Sequence, residues 1–465
     1  MRVSIDLDGL WTAFADIERE ESLVEWRIGN VYIWPILRDR LFRDAAEQLG
    51  LIEAKIEPPR ASNGNLGWQS EWPRIQSLMG PTIVIPFLRR DAENRDPFTE
   101  RLARVLPQPA SRLAVGAVDA ASAAPQLEDL ETFIRRRFSP IAKALVAASL
   151  RKKHFAKYSR MIAGIEAKTG PFTVKFARFP KWLLVDFVAQ RLGYSRLFRA
   201  LGVRQIVYVN AWRRGLIAGA HRAGVSVIEP QHGAISNRHP LLSWPADSKP
   251  AYLPDAFLAW GQYWLDSSAL PSNVSTAVIG APAHIEHLKG ELASGTVATN
   301  ENQIVIASQV HQTQAIIAFA NEAARSNPSL FVVLKPHPQE NPALFAQQVD
   351  HGLPNLRVAD AAEPMLRLIA ESAAVASVYS TALFEALALG KRAGVIKLAG
   401  WEHVAELLQR GDAAEAVAED LHRVLKMPTK PAAGDYYFAS AIPETDDGDA
   451  RLGAQIQSIL GSRNV

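Results

Sequence analysis

From Thr82 onward, short apolar runs alternate with longer stretches whose apolar residues recur at helical spacing. The short runs are rich in β-branched residues and end at Gly, Pro or Asn, which is typical of buried strands. They read TIVIPFL, RLAVGAV, RQIVYVN, VSVIEP, AFLAWG and TAVIGAP. Strands that alternate with helices in this way predict parallel βαβ units.

The same alternation begins again after a polar stretch, ELASGTVATNENQ, at residues 291–303. The later strand-like runs are IVIASQV, LFVVLKPHP, AVASVYS and AGVIKLA. We therefore predict an α/β fold with two doubly wound, Rossmann-like domains that face each other across a cleft. The predicted units are residues 1–290, residues 291–445, and a C-terminal helix at 446–465 that packs back on the first domain.

The first 56 residues predict a helical extension, because their apolar and aromatic residues recur at helical spacing. Pro35 is expected to interrupt these helices, since proline lacks the backbone donor that a helix interior needs. A polar connector with Gly, Asn and Pro follows, from Glu57 to about Pro73.

Ligands of doubly wound sheets bind at the carboxyl ends of the strands, so polar residues there are candidates for a site. LFVVLKPHP ends in Lys335, Pro336, His337 and Pro338. A cation and an imidazole, presented by a backbone that two prolines restrict, predict contact with a phosphate. The alternative is a plain turn in which His337 only satisfies a backbone carbonyl.

Two further strand ends in the second domain carry anion-binding chemistry. After AVASVYS, Ser380 or Thr381 is expected to cap a helix, and the free N–H groups of a helix start bind anions. Glu385 lies one turn further on the same helical face, where it would hold a ligand hydroxyl or brace the loop. After IVIASQV come three weaker candidates for a phosphate loop, which a helix cap explains equally well: Ser308, Gln309 and His311.

The first domain offers candidates for a general base at the end of VSVIEP. Glu229 and His232 stand there, followed by Gly233, and either would take a proton from an acceptor hydroxyl. His239 is a weaker candidate seven residues on. The alternative is structural, because a histidine beside a glycine is more often part of a turn.

Composition and charge limit the remaining possibilities. The 465 residues include no cysteine, which excludes thiolate nucleophiles and cysteine-bound zinc and is compatible with a reducing cytoplasm. Between Thr132 and Ile165 there are nine Lys or Arg residues and no acidic one. We expect the surface at 135–160 to meet an anion, either acidic lipid of the inner membrane or an anionic glycan, the alternative being a solvated helix face. Nucleic acid is not expected, since no nucleic-acid-binding motif accompanies the charge.

Other enzyme classes lack their motifs here. The chain has no GxxxxGK[ST], HExxH or GxSxG element, which argues against P-loop NTPases, zincins and α/β-hydrolases. No pair of carboxylates in the predicted strands suggests a bound metal, and Asp6 and Asp8 precede every predicted strand. We therefore expect no metal ion and no cofactor besides the substrate.

The order QHG, GAP, KPHP and YST followed by EALALGK resembles bacterial GT-B glycosyltransferases of capsule and lipopolysaccharide synthesis. The similar families are Kdo transferases, sialyl- and polysialyltransferases and, more distantly, polyglycerolphosphate transferases of teichoic acid synthesis. The resemblance covers roughly residues 200–400. It implies that His337, Ser380 and Thr381, with Lys335 nearby, bind the phosphate of a cytidine nucleotide. The acidic motif that supplies the base in some sialyltransferases is not found, so the base stays open between His232 and Glu229.

The sequence thus predicts a cytoplasmic glycosyltransferase, peripheral to the inner membrane, that uses a nucleotide-sugar donor and a glycan or glycolipid acceptor. A CMP-activated acidic sugar such as Kdo or sialic acid is the expected donor. One alternative is a UDP-sugar transferase or a nucleotide-sugar epimerase of the same fold. Another is a non-catalytic glycan-binding or assembly subunit.

Overall fold

A computed structural model of the chain describes residues 5–52, 80–86, 96, 98–113, 126–171, 178–245, 247–310, 312–360, 362–442 and 444–461. The predicted connector at 57–73 lies outside the described residues, and so does His311.

The first part of the chain contains a small hairpin, a set of helices and the strands of one sheet. The strands are β1 (Arg27–Ile28), β2 (Val31–Tyr32), β3 (Thr82–Ile85), β4 (Ala110–Arg112), β5 (Gln205–Tyr208), β6 (Ser226–Pro230), β7 (Ala256–Ala259) and β8 (Ser275–Val278). The helices are α1 (Leu7–Glu20), α2 (Trp34–Gln48), α3 (Glu100–Val105), α4 (Leu127–Ser149), α5 (Lys152–Thr169), α6 (Lys181–Ala200), α7 (Arg214–Ala223), α8 (Gln262–Asp266) and α9 (Ala283–Ala293).

The second part begins with a long central strand and contains the other sheet. Its strands are β9 (Asn300–Ala307), β10 (Phe331–Lys335), β11 (Leu356–Val358), β12 (Ser372–Ser377), β13 (Arg392–Val395) and β14 (Ala414–Glu415). Its helices are α10 (Thr313–Ser326), α11 (Pro342–Gln348), α12 (Met365–Ala370), α13 (Thr381–Ala388), the 3-10 turn Trp401–Val404, α14 (Ala405–Gln409), α15 (His422–Leu425), α16 (Pro431–Tyr437) and α17 (Asp446–Gly461).

Both large sheets are parallel throughout. The first has the order β4-β3-β5-β6-β7-β8 and the second the order β11-β10-β9-β12-β13-β14. The second order is that of the Rossmann fold, whose strand order reverses between its first and fourth strands, here β9 and β12. Two doubly wound α/β domains with a helical extension constitute the GT-B architecture, so the predicted fold class is confirmed.

The strands that sequence reasoning missed are those of the β1–β2 hairpin and two short edge strands of the second sheet. β11 and β14 have three and two residues and form the two outer edges of the second sheet. Runs this short carry no periodicity, and an edge strand is only partly buried, so the hydrophobic pattern does not mark it.

The helical extension is interrupted, but not at Pro35 as expected. Pro35 lies in the first turn of α2, where the missing N–H would have had no helical partner in any case. The break in the helical extension falls earlier, at the β1–β2 hairpin, which turns at Gly29 with a positive φ of 60°. Proline therefore starts a helix here rather than ending one.

An aromatic cluster and the C-terminal segment join the two domains. Trp264 of α8 lies 4.5 Å from Phe384 of α13, measured between ring centroids, and its Nε1 donates to the Tyr437 carbonyl at 2.6 Å. After α16 the chain returns to the first domain, where α17 packs against α3 and β8. Arg101 of α3 fastens α17 by an ion pair with Asp449 at 2.8 Å.

Candidate functional site

Two loops of the second domain meet where its strand order reverses. The loop after β9 contains Ser308 and Gln309, and the loop after β12 contains Tyr379. The Gln309 Oε1 accepts a hydrogen bond from the Tyr379 backbone N–H at 2.9 Å. This bond holds the two loops together at the position where doubly wound folds bind their ligands.

Glu340 organises the loop that carries His337. Its Oε1 accepts hydrogen bonds from the hydroxyls of Ser308, at 2.7 Å, and Thr313, at 2.5 Å. Its Oε2 accepts from the His337 backbone N–H at 2.5 Å. Sequence reasoning did not select Glu340, although it follows the KPHP motif directly. One carboxylate thus fixes the loops after β9 and β10 relative to each other.

His337 is exposed beyond the end of β10, and so is Pro338. Its Nδ1 faces the Gln339 backbone N–H at 3.2 Å. Because an N–H can only donate, Nδ1 is the acceptor and the ring proton lies on Nε2. The exposed imidazole therefore offers an N–H donor, as a phosphate ligand requires.

The start of α13 has the expected cap. Ser380 is the N-cap residue, and its hydroxyl accepts from the Ala382 N–H at 3.2 Å. Thr381 is the first helical residue and is partly exposed. Glu385 is buried one turn further along, at 4% exposure, inside the second domain. Ser380 and Thr381 are thus partly exposed at the start of the helix, whereas Glu385 is buried.

The sequence predicted that Lys335 contacts a phosphate, but its amino group binds a backbone carbonyl. The side chain is buried, and its Nζ donates to the Asp360 carbonyl at 2.5 Å. Burial lowers its pKa, against the opposing effect of Glu363 and Asp360. Lys335 therefore ties the end of β10 to the loop after β11, and His337 extends further toward the cleft.

The first domain contributes the loop after β6. Glu229 is 3% exposed, and its Oε1 accepts from the Ala211 backbone N–H at 3.1 Å. His232 lies three residues on and is half-buried. Of the two candidate bases, Glu229 is engaged inside the domain, whereas part of His232 remains accessible.

The two domains meet through a pair that sequence reasoning missed. Ser236 Oγ lies 3.0 Å from Nδ1 of His403, and the His403 ring lies 5.5 Å from that of Tyr379. His403 lies in the 3-10 turn Trp401–Val404, well beyond the end of β13 at Val395, so the strand-end criterion that selected His337 did not include it. Glu340 binds Ser308, and the next residue, Gln309, binds Tyr379. Tyr379 packs against His403, which contacts Ser236 in the loop that follows His232.

Burial keeps the histidines of this junction neutral. It lowers the pKa of His232 to about 4, that of His403 to about 4 and that of His239 to about 3. His239 is also disfavoured in its charged form by His232, His403, Arg214 and Arg38. Its Nδ1 is buried with no hydrogen-bond partner in the part of the chain that the structure describes. An unpaired buried nitrogen of this kind is unusual, and a bound water or ligand would satisfy it.

The pKa of Glu229 is shifted upward rather than downward. Burial raises its pKa to about 7, and the bond from Ala211 and the charge of Arg214 only partly offset this rise. A carboxyl with this pKa exchanges its proton near neutral pH, which is a property of many acid–base catalysts.

The start of α1 also lies at the cleft. Asp8 forms an ion pair with Arg238 of the first domain's loop, and Asp6 caps α1 by accepting from the Gly9 N–H at 2.7 Å. The sequence analysis had not expected these aspartates near a site.

A cavity of about 190 Å³ between the domains is lined by Arg238, His403 and Glu402, among others. Within the described residues, no group of three His, Asp or Glu side chains is arranged to hold a metal ion.

The neutral histidines predict a pH-dependent stability. Unfolded histidine has a pKa of about 6.5, so the unfolded state binds more protons than the folded state below that pH. The three imidazoles therefore make the free energy of unfolding fall as the pH falls from about 6.5 toward 4. Glu229 acts in the opposite sense, because its folded pKa of about 7 lies above its ordinary value.

Unfolding below about pH 6.5 is accompanied by proton uptake at these histidines, and His239→Asn should remove about one of these protons. The slope of the free energy of unfolding against pH should therefore fall by about 1.4 kcal/mol per pH unit. The measurement is urea unfolding at a series of pH values between 5 and 7, with the exposed His351→Asn as control. An unchanged slope in the His239 variant would show that this imidazole is not held neutral.

No family model matches the chain, and no curated protein matches it. Solved structures do. UDP-N-acetylglucosamine 2-epimerase from Rickettsia bellii is 12% identical, with a TM-score of 0.43, over 82% of this chain and 95% of that chain. CalG4, the calicheamicin glycosyltransferase, is 12% identical, with a TM-score of 0.43, over 82% of this chain and 98% of that chain. The wall teichoic acid polymerase TagF is 10% identical, with a TM-score of 0.41, over 86% of this chain and 95% of that chain. At identities and TM-scores this low, the activities of these proteins are not transferred to this chain.

Proposed function

We propose that the protein is a metal-independent glycosyltransferase that moves a sugar from a nucleotide donor to a glycan or glycolipid acceptor. The observation that carries the proposal is the junction of the two domains. Donor-side groups at the carboxyl ends of β10 and β12 are joined by contacts to the histidine loop of the first domain. Phosphate-binding groups on one side and base candidates on the other are what the transfer of a sugar to a hydroxyl needs.

In this proposal the second domain binds the donor. The Nε2–H of His337 and the positive end of the α13 helix dipole would stabilise the negative charge that develops on the leaving phosphate. The Ser380 and Thr381 hydroxyls are additional donors at that helix start. Glu340 is a positioning residue, because its carboxylate binds the His337 backbone N–H and so holds the His337 loop in place.

The first domain would bind the acceptor and supply the base. His232 is neutral at pH 7, so its imidazole can accept the proton of an acceptor hydroxyl. Glu229 has a better matched pKa, but its carboxylate is buried and already bonded to Ala211. Accessibility therefore favours His232.

A CMP-activated acidic sugar, such as Kdo or a sialic acid, is the proposed donor, on the strength of the sequence resemblance. The alternatives make different predictions about nucleotide binding. A UDP-sugar transferase or an epimerase would prefer UDP, and a non-catalytic assembly subunit would bind no nucleotide. An epimerase would also convert its substrate without an acceptor.

We expect CMP to raise the melting temperature more than CDP, UDP or GDP, since a ligand at 100 times its dissociation constant stabilises the fold by about 2.7 kcal/mol.

His337→Ala should lower the transfer rate by about 10²–10³, because one preorganised hydrogen-bond donor to the phosphate is lost. It should also reduce the rise in melting temperature that CMP causes. Thermal unfolding and donor turnover are measured on the same samples. A folded His337→Ala protein with normal turnover would exclude the donor site, and a larger shift with UDP would exclude the CMP donor.

His232→Ala should lower the turnover number by roughly 10²–10⁴ while CMP affinity stays unchanged, since a base acts on the acceptor. The pH–rate profile tests the same role, because a base is active only when it is deprotonated. With His232 as base the rate should fall only as the pH drops through about 4. If the rate falls through about 7 instead, and Glu229→Gln is the inactive variant, Glu229 is the base.

We further propose that α4 and the start of α5 contact an anionic membrane surface. Ile141 and Leu145 lie one turn apart on α4, and each is 48% exposed. Arg137 precedes them by one turn, and Lys152 and Lys153 are exposed at the start of α5. Apolar side chains flanked by cations are suited to the interface of an anionic bilayer.

Tertiary contacts reduce the basic charge of this region without removing it. Arg135 pairs with Asp186 of α6, and Arg160 pairs with Glu21 beyond α1. Arg137, Lys152 and Lys153 have no ion pair within the described ranges. No described helix is both long enough and apolar enough to cross a bilayer.

The protein should sediment with phosphatidylglycerol vesicles and less with phosphatidylcholine vesicles, and added salt should weaken the binding. Replacing Arg137, Lys152 and Lys153 by Gln should weaken it at least about tenfold, at about 1 kcal/mol per charge near the surface. Ile141→Ser with Leu145→Ser should also weaken it. Arg423→Gln with Lys426→Gln in the second domain is the charge control, and its matched variant is Lys152→Gln with Lys153→Gln. Equal binding to both lipids, or equal loss in the control, would contradict a membrane-facing α4.

A further inference from the structure

An open groove of about 660 Å³ lies on the first domain, away from the cleft. It is bordered by the C-terminal end of α7 and by the segments that lead into β7 and β8. These segments reach the amino ends of the strands, whereas the candidate site lies at the carboxyl ends. The groove is therefore on the opposite edge of the sheet, and its volume is within the roughly 300–1,000 Å³ of ligand pockets. Its polar lining includes Arg191, His221, Arg222, Tyr252, Asp255 and Asn273.

Positive charge is concentrated around this groove. Arg191 and Arg222 line it, and Arg196 and Arg199 of α6 are near enough to act on Arg222 electrostatically. No ion pair among the described residues involves any of these four arginines. The pKa of Arg222 is lowered by burial and then by Arg191, Arg199 and Arg196. Like charges this close are a cost to the fold that a bound anion would relieve.

Arg191 is held by contacts that leave donors for a ligand. Nη1 of Arg191 donates to the carbonyl of Asn30 at 3.3 Å and to its Oδ1 at 3.2 Å. Its Nε and Nη2 make no hydrogen bond within the described residues. Anchoring one edge of a guanidinium keeps the other in place for an acceptor, which is the geometry that carboxylates and phosphates use.

The negative groups beside the groove already have partners. Asp255 Oδ2 accepts from the Val227 N–H at 2.8 Å and faces His221 Nε2 at 3.1 Å. The last carbonyls of α7 accept from the Gly224 and Val225 N–H groups and from Arg199. The one carboxylate and the negative helix end are thus engaged, so they compete little for the arginines.

We propose that this groove is a second binding site, for a saccharide-sized ligand that carries a phosphate or a carboxylate. Arg191 and Arg222 hold the anionic group. Asn273 and the groove wall at Tyr252 contact the rest of the ligand. The site is on the far edge of the first domain and does not depend on the proposed transfer reaction.

The test uses inorganic phosphate, glucuronate and glucose as probes, with ³¹P line width for phosphate and saturation-transfer NMR for the two sugars. Phosphate or glucuronate should bind and glucose should not. Arg191→Gln with Arg222→Gln should weaken that binding at least about tenfold, since two charge-assisted contacts are lost. Arg423→Gln with Lys426→Gln in the second domain is the matched charge control and should bind as the wild type does.

His337→Ala distinguishes binding in the groove from binding in the cleft, because it alters the proposed donor site and leaves the groove residues unchanged. Groove binding that survives in His337→Ala and is lost in the double arginine variant supports the proposal, whatever the result for donor turnover. The anion that shows this behaviour identifies the ligand class as phosphorylated or carboxylated. Anion binding that the double arginine variant retains in full, or glucose binding as tight as glucuronate binding, would overturn it.

Discussion

The packing of Trp264 against Phe384 is the contact on which the arrangement of the two domains depends. Phe384 belongs to α13, whose start is the Ser380 cap, so the same helix that presents the candidate anion site is held against the first domain. Tyr437 completes the cluster, with ring centroids 4.7 Å from Tyr263, and its carbonyl accepts from the Trp264 indole. Gly261 permits this approach, since a Cβ there would lie 2.5 Å from the Tyr436 and Tyr437 carbonyl oxygens. Large buried aromatics contribute several kcal/mol each to such a junction.

This junction leaves little enclosed space between the domains. The interdomain cavity of about 190 Å³ is below the roughly 300 Å³ at which ligand pockets begin. A nucleotide sugar would therefore occupy the open part of the cleft or require the domains to separate. Among the polar contacts described above, that of Ser236 with His403 crosses the cleft as a single, partly buried bond.

Burial and charge divide the molecule into regions with different electrostatics. At the junction, burial keeps His232, His239 and His403 neutral and brings Glu229 to a pKa of about 7. Proton exchange near neutral pH is thereby concentrated on the first domain's side of the cleft. On the outer surfaces, arginines and lysines remain charged at α4 and at the far groove.

The sequence by itself determined the two parallel α/β domains, because β-branched apolar runs alternating with helices leave few other topologies. It also predicted that His337, Ser380 and His232 each follow the end of a strand, which the structure shows. It did not reveal that Lys335 binds the Asp360 carbonyl, that Glu340 fixes the His337 loop, or that His403 meets Ser236. Lys335 and Asp360 are separated along the chain, and Ser236 and His403 belong to different domains, so no local pattern encodes their distance. Glu340 is close to His337 in sequence, but it also binds Ser308 and Thr313 of another segment, which the sequence does not show. Tertiary structure likewise decided the pKa values, because the desolvation that shifts them depends on which surfaces are packed together.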